Sequence, residues 1–127
     1  MSRISPFIEL IGPVYERRDD HGVSLGLHVA PKHANRRGMC HGGVLASLAD
    51  IALGYAVAGS SGGKVTMLTA SLTIDYAGSA KVGEWIESEV EVQRTGSRLA
   101  FANCYLVSAG KRVVRASAIF AVASKAE

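Results

Sequence analysis

The chain has 127 residues, 48% of them hydrophobic and 6% aromatic, with a formal net charge of +3. This length makes one domain, 1–127, large enough to bury a core. The positive charge is too mild and scattered to point to nucleic acid, although it suits a small anionic ligand. Two cysteines, Cys40 and Cys104, are too few for a disulfide framework and fit a reducing, cytoplasmic setting. The first residues, MSRISPFIEL, lack a signal-peptide core, and no uninterrupted apolar run approaches about 18 residues, so no membrane association is expected.

In chain order, Ser5–Ile11 reads as one or two helical turns. Val14–Arg18 and Val23–Val29 flank the turn-like Asp19-Asp20-His21-Gly22 and predict a hairpin. PKHANRRGMC, from Pro31 to Cys40, has no periodicity and is a loop. It feeds the stretch His41–Ala58, HGGVLASLADIALGYAVA, which predicts one long helix. Gly59-Ser60-Ser61-Gly62-Gly63 breaks it. Lys64–Tyr76 then alternates, with Leu68, Ala70, Leu72, Ile74 and Tyr76 assigned to one side; it is longer than an ordinary strand and is expected to bend. Glu84–Arg94, Arg98–Val107 and Arg112–Ala123, joined by tight turns, form an antiparallel meander. The expected architecture is α+β, one long central helix wrapped by a five- or six-stranded antiparallel sheet.

The helix carries the chemistry. At 100° per residue, Val44, Leu45, Leu48, Ile51, Ala52 and Tyr55 share a sheet-facing side. The opposite side holds Ala46, Leu53, Gly54 and Val57 around Asp50, the helix's one carboxylate. A carboxylate on an uncharged face is costly to bury without a partner. At the front end, Gly42 and Gly43 leave the first N–H groups open, which together with the helix dipole makes a site for negative charge. An oxyanion-binding end and an acid on one helix suggest acyl chemistry. Gly42 and Asp50 lie eight residues apart, about 12 Å along the axis, too far for one Asp to serve its own helix's N-terminus. A reaction using both needs a second copy, most simply in a C2 dimer with two shared sites.

Asn35, then Gly38-Met39-Cys40-His41-Gly42-Gly43, then Leu48-Ala49-Asp50 resemble the hotdog-fold acyl-CoA thioesterases of the PaaI-like, phenylacetate-pathway group. Tyr76-x-x-x-Ala80-x-x-Gly83 and the Gln93–Phe101 hairpin extend the resemblance over nearly the whole chain. The resemblance implies that Asp50 acts as nucleophile or as general base towards water. It also implies that the Gly42 N–H is the oxyanion donor with His41 beside it, and that Asn35 helps place the water or carbonyl. Thr69 stands where some members carry a hydroxyl near the acid, a weaker match. The Arg36-Arg37 pair departs from the smaller or apolar residues of the family and bears on the entrance and acyl preference. The implied substrate is an acyl-CoA and the implied assembly a dimer or dimer of dimers. No separate cofactor is expected, because coenzyme A is part of the substrate.

Plainer readings stand beside these. Asp50 alone is equally readable as a structural acid, Gly42-Gly43 as a close-packing device, and His41 as a cap. Cys40, adjacent to His41, is expected to be inert. His21, His28, His33 and His41 lack metal-site spacing, so no metal is expected. Arg36, Arg37, Arg98, Lys111 and Arg112 are candidates for coenzyme A phosphates, with only the Arg36-Arg37 pair clustered beside the site. The alternatives to hydrolysis are a hotdog acyl-CoA or acyl-ACP dehydratase and a non-catalytic acyl-CoA-binding protein; a binder needs no buried acid.

Overall fold

The computed structural model describes residues 5–20, 22–62 and 65–124, so His21 and Lys64 fall outside it. Helix α1 spans Pro6–Ile11, and its N-cap Ser5 accepts a hydrogen bond from the Ile8 N–H. Strands β1 (Tyr15–Asp19) and β2 (Gly22–His28) form the expected hairpin, and a 3-10 turn at Pro31–His33 opens the loop before helix α2 (Gly42–Ser60). Strands β3 (Val65–Tyr76), β4 (Trp85–Thr95), β5 (Leu99–Ser108) and β6 (Lys111–Ser124) follow. The six strands make one antiparallel sheet in the order β1-β2-β4-β5-β6-β3. It wraps around α2, which contacts β2 through β6. This is the α+β hotdog architecture expected from the sequence.

The helix buries a wider face than its periodicity suggested. Leu45, Leu48, Ala49, Ala52, Leu53 and Val57 are at most 1% exposed. Leu53 and Val57 therefore belong to the core and not to the Asp50 side. A curved sheet reaches around a helix further than a flat one, so residues at the margin of the stripe are covered too. Val44, Ile51 and Tyr55 are half-buried flanks. By length and mean hydropathy (1.5) α2 meets the criteria for crossing a membrane, despite its polar interruptions; here five strands pack against one side of it.

Strand β3 departs from simple alternation. Its pairing with β6 shifts register between Thr69 and Ser71, leaving Ala70 as an extra, bulged residue. A bulge reverses which face successive side chains occupy. Leu68 is consequently 75% exposed, while Met67, Leu72 and Ile74 pack on the core. The expected single face of Leu68, Ala70, Leu72, Ile74 and Tyr76 is thus split at Ala70.

The loop before α2 is anchored by His33, which is buried. Its Nδ1 accepts from the Ala30 N–H at 2.8 Å, so its Nε2 donates to the Ile11 carbonyl, 2.5 Å away. Its own carbonyl accepts from the His41 N–H at 2.8 Å. One residue thereby ties the end of α1, through its ring, to the approach to α2, through its backbone. Replacing the ring, His33→Leu, leaves the part-buried Ala30 N–H and the buried Ile11 carbonyl without it. We expect a loss of about 2 kcal/mol or more, measurable by urea unfolding; unchanged stability would show that the ring anchors nothing.

Candidate active site

The front of α2 is built by His41, the N-cap, whose backbone is extended (φ −63, ψ 139). Its Nδ1 accepts from the Gly43 N–H at 2.8 Å, and its carbonyl accepts from Val44 (2.9 Å) and Leu45 (3.2 Å). A neutral His41 then carries its proton on Nε2. These bonds use the first-turn donors one by one and leave the Gly42 N–H without an acceptor among the described residues. The pair of open N–H groups expected from Gly42-Gly43 is therefore a single one. A lone donor at the positive end of the helix dipole is what a developing oxyanion requires.

Tyr76, at the end of β3, reaches this turn, and its hydroxyl donates to the Gly42 carbonyl at 2.8 Å. A Cβ at position 42 would sit 3.3 Å from the Tyr76 Cζ and hydroxyl oxygen, so glycine permits the approach.

Asn35 shapes the adjoining loop. Its Oδ1 accepts from the Arg37 N–H (2.8 Å) and the Met39 N–H (3.2 Å), and its backbone N–H donates to the Met39 carbonyl at 2.7 Å. Gly38 closes the turn with φ +76, a conformation that favours glycine. With Oδ1 committed to the backbone, only the Nδ2 amide remains to meet a water or carbonyl oxygen. Arg36 and Arg37 sit exposed on the turn, without an acidic partner among the described residues. Bridges Ala34–Cys40 and Met39–Lys81 hold this loop beside the N-terminus of α2.

Asp50 lies two turns further along α2 and is half-buried. Its Oδ1 accepts from the Thr69 hydroxyl at 2.9 Å, so the weakest of the expected site residues provides the one side-chain hydrogen bond to the acid among the described residues. The bond holds one carboxylate oxygen, and Oδ2 has no hydrogen-bond partner among the described residues. Two groupings result within one chain. His41, Gly42, Asn35, Arg36 and Arg37 gather at the front of α2, joined by Tyr76. Asp50 and Thr69 stand apart from them.

Other candidates drop away. Burial pushes the Cys40 thiol up to about 11. It pushes Cys104 up to about 12, with the Glu89 charge adding to the rise and a Glu89 backbone hydrogen bond opposing it. Neither is a thiolate at neutral pH, which agrees with an inert Cys40. Arg112 lies 3.8 Å over the Tyr105 ring and 3.9 Å from Glu89. It lines a shallow depression of about 570 Å³ with Asp75 and Arg115, which Asn35, His41, Gly42, Asp50 and Thr69 do not line. The site's one omission at the sequence level is the Tyr76 hydroxyl. Its position was visible in the Tyr76-x-x-x-Ala80-x-x-Gly83 pattern, but nothing local said which backbone group it would meet.

Comparison with known proteins identifies the family and the fold. Residues 37–115 match the family model described as the thioesterase superfamily. A Pseudomonas aeruginosa protein named "Putative esterase PA0474" is 40% identical over 119 residues, covering 93% of this chain and 89% of that protein. Among solved structures, conserved protein PA5202 from P. aeruginosa shares 28% identity with a TM-score of 0.86, covering 94% of each chain. The PaaI protein of Escherichia coli's phenylacetic acid degradation operon shares the fold at 21% identity, TM-score 0.81, covering 92% of this chain and 83% of that one. The chain belongs to the thioesterase superfamily.

Proposed function

We propose that the protein is an acyl-CoA thioesterase, hydrolysing a coenzyme A thioester to the free acid and coenzyme A. The observation that carries the reading is the pairing of one unused N–H, at Gly42, with a fixed but half-free carboxylate, Asp50. The donor stabilises the oxyanion that forms when the thioester carbonyl is attacked. Asp50 either attacks the carbonyl itself or takes a proton from the attacking water. A Streptococcus mutans protein of the same fold, smu.793, is described as bound to acetyl CoA, which supports the ligand class. The exposed Arg36-Arg37 pair beside the Gly42 end suits the phosphates of coenzyme A. A pair of buried free thiols suits a reducing, cytoplasmic setting.

Because the two groups lie about 12 Å apart on one helix, we place each site between two chains. Strand β3 is the edge that can join them. It has a partner on one side only, and from Thr66 to Ile74 it carries no charged residue and no proline. The other edge, β1, is Tyr15 followed by Glu16, Arg17, Arg18 and Asp19, all exposed, the usual guard against edge pairing. Two chains joined through β3 about a two-fold axis set their α2 helices side by side and antiparallel. If they cross at Ala46, midway between Gly42 and Asp50, each Asp50 lies level with the other chain's Gly42. Gly43, Ala46 and Gly54 flank Asp50 on that side and allow close approach.

The deciding experiment is Asp50→Asn, which keeps volume and hydrogen bonding but removes charge and basicity. It should fold as the wild type does and lose at least ~100-fold in kcat against a panel of acyl-CoAs. Near-wild-type turnover in a well-folded sample would remove Asp50 from the mechanism.

The shared site has its own test. Gly42→Pro deletes the N–H at the first helical position, where proline's φ is accepted, and His41 before it is already extended. Mixing Gly42→Pro with Asp50→Asn chains should restore activity in heterodimers that carry one intact site. Mixtures no better than their parents after subunit exchange would rule out sharing.

Replacing Arg36 and Arg37 together with Ala should raise KM for coenzyme A thioesters roughly three- to tenfold, as lost charged contacts predict. It should also flatten the salt dependence of KM and leave kcat near wild type, since such contacts differ little between ground and transition states. An unchanged KM would return the pair to ordinary surface.

A further inference from the structure

We propose that Tyr76 is a positioning residue that aims the Gly42 N–H, an inference that rests on the thioesterase reading of that donor. Two consecutive glycines make the loosest possible first turn, because glycine loses the most conformational freedom on ordering and helix ends fray. Here the peptide group between Gly42 and Gly43 is gripped at both ends. Its N–H donates to His41 Nδ1 at 2.8 Å, and its carbonyl accepts from the Tyr76 hydroxyl, also at 2.8 Å. The preceding peptide, which bears the Gly42 N–H, is held by its own carbonyl, which accepts from Val44 and Leu45, and with the following plane gripped as well, the glycine between them has little room to turn.

Tyr76 is itself well anchored for the task. It pairs with Val114 of β6, and the next two residues donate backbone N–H groups to the Val113 carbonyl at 2.9 and 3.0 Å. The bulge at Ala70 brings it to the right face. Thr69 and Tyr76 are seven residues apart, an odd number that in a regular strand would put them on opposite faces. The one extra residue between them lets both reach α2, Thr69 at the acid and Tyr76 at the donor. A single strand thus holds both reacting groups of its own helix. The absence of a side chain at Gly42 completes the fit, since a Cβ there would crowd the phenol at 3.3 Å.

The test is Tyr76→Phe, which removes the hydroxyl and keeps the ring, measured alone and in the Gly42→Pro background. Alone, it should lower kcat about tenfold on the best-cleaved acyl-CoA of the panel and leave KM within about twofold, the signature of a contact that matters in the transition state. Amide hydrogen exchange over residues 42–45, read without substrate, should quicken. In the Gly42→Pro background, where the donor is gone and the proline ring itself crowds the phenol, the same change should cost no further activity, and the exchange rates, read in the protein with Gly42 intact, separate aiming from that crowding. An unchanged kcat, an equal loss in both backgrounds, or unaltered exchange would each overturn the proposal. Full activity in Gly42→Pro itself would instead remove the donor from the mechanism, and with it the aiming role. An absence of any thioester cleavage by the wild type would sink the thioesterase reading, and the exchange rates would still decide whether Tyr76 holds the turn.

Discussion

The rest of the structure depends on the rigidity of α2. An α-helix advances ~1.5 Å per residue and does not fold back, so two groups placed eight residues apart on it stay apart. Five strands cover the helix on its wide apolar face, through Leu45, Leu48, Ala49, Ala52, Leu53 and Val57. The uncovered side carries the small residues Gly43, Ala46 and Gly54 around Asp50, with half-buried Val44, Ile51 and Tyr55 at its margins. Its one charged group is already held by a neighbour, Thr69.

Strand β3 is the second organising element, and its irregularity is what gives it that role. A perfectly alternating strand has one face for the helix and one for solvent, and it could present either Thr69 or Tyr76 inward but not both. One extra residue at Ala70 removes the conflict. The cost is visible on the outside, where Leu68 is turned towards solvent. That Leu68 faces solvent while Thr69 and Tyr76, both themselves exposed, reach the polar groups of α2 argues that the phase of the strand serves the helix's polar groups and not the core alone.

Much of this was legible in the residues. The long helix, the first hairpin and the β4-β5-β6 meander follow from periodicity and turn chemistry, within a residue or two at their ends. Gly42 and Asp50 stood out because a glycine pair and a lone acid are unusual on an otherwise apolar helix, whereas His41 entered a site only through the family resemblance, its plainer reading being the cap it forms. Three features were not legible, each for a non-local reason. The place of β3 beyond β6 is a matter of pairing, which no local pattern encodes. The bulge falls on an alanine, a residue with no bulge preference, and Leu68, Ala70, Leu72 and Ile74 spell out a regular strand. The burial of Leu53 and Val57 depends on how far the sheet curls, which is set by bulges such as those at Ala70 and between Val92 and Arg94. Asn35 shows the same limit at the scale of one side chain. Its presence marked the loop, but only the fold shows that its oxygen is spent on the Arg37 and Met39 amides, leaving just its nitrogen for a ligand.

The contrast between the two sheet edges bears on how growth would end. A protein with two bare edges can add copies at either side and lengthen into a ribbon, because each addition exposes a fresh edge like the one it covered. Here one rim carries Glu16, Arg17, Arg18 and Asp19, and the other carries an uncharged run. Joining two copies through the uncharged rims consumes both of them and leaves only the charged rims facing outward. Lateral extension then terminates after a single step, and the same pairing that would complete a site also caps the sheet against further polymerisation.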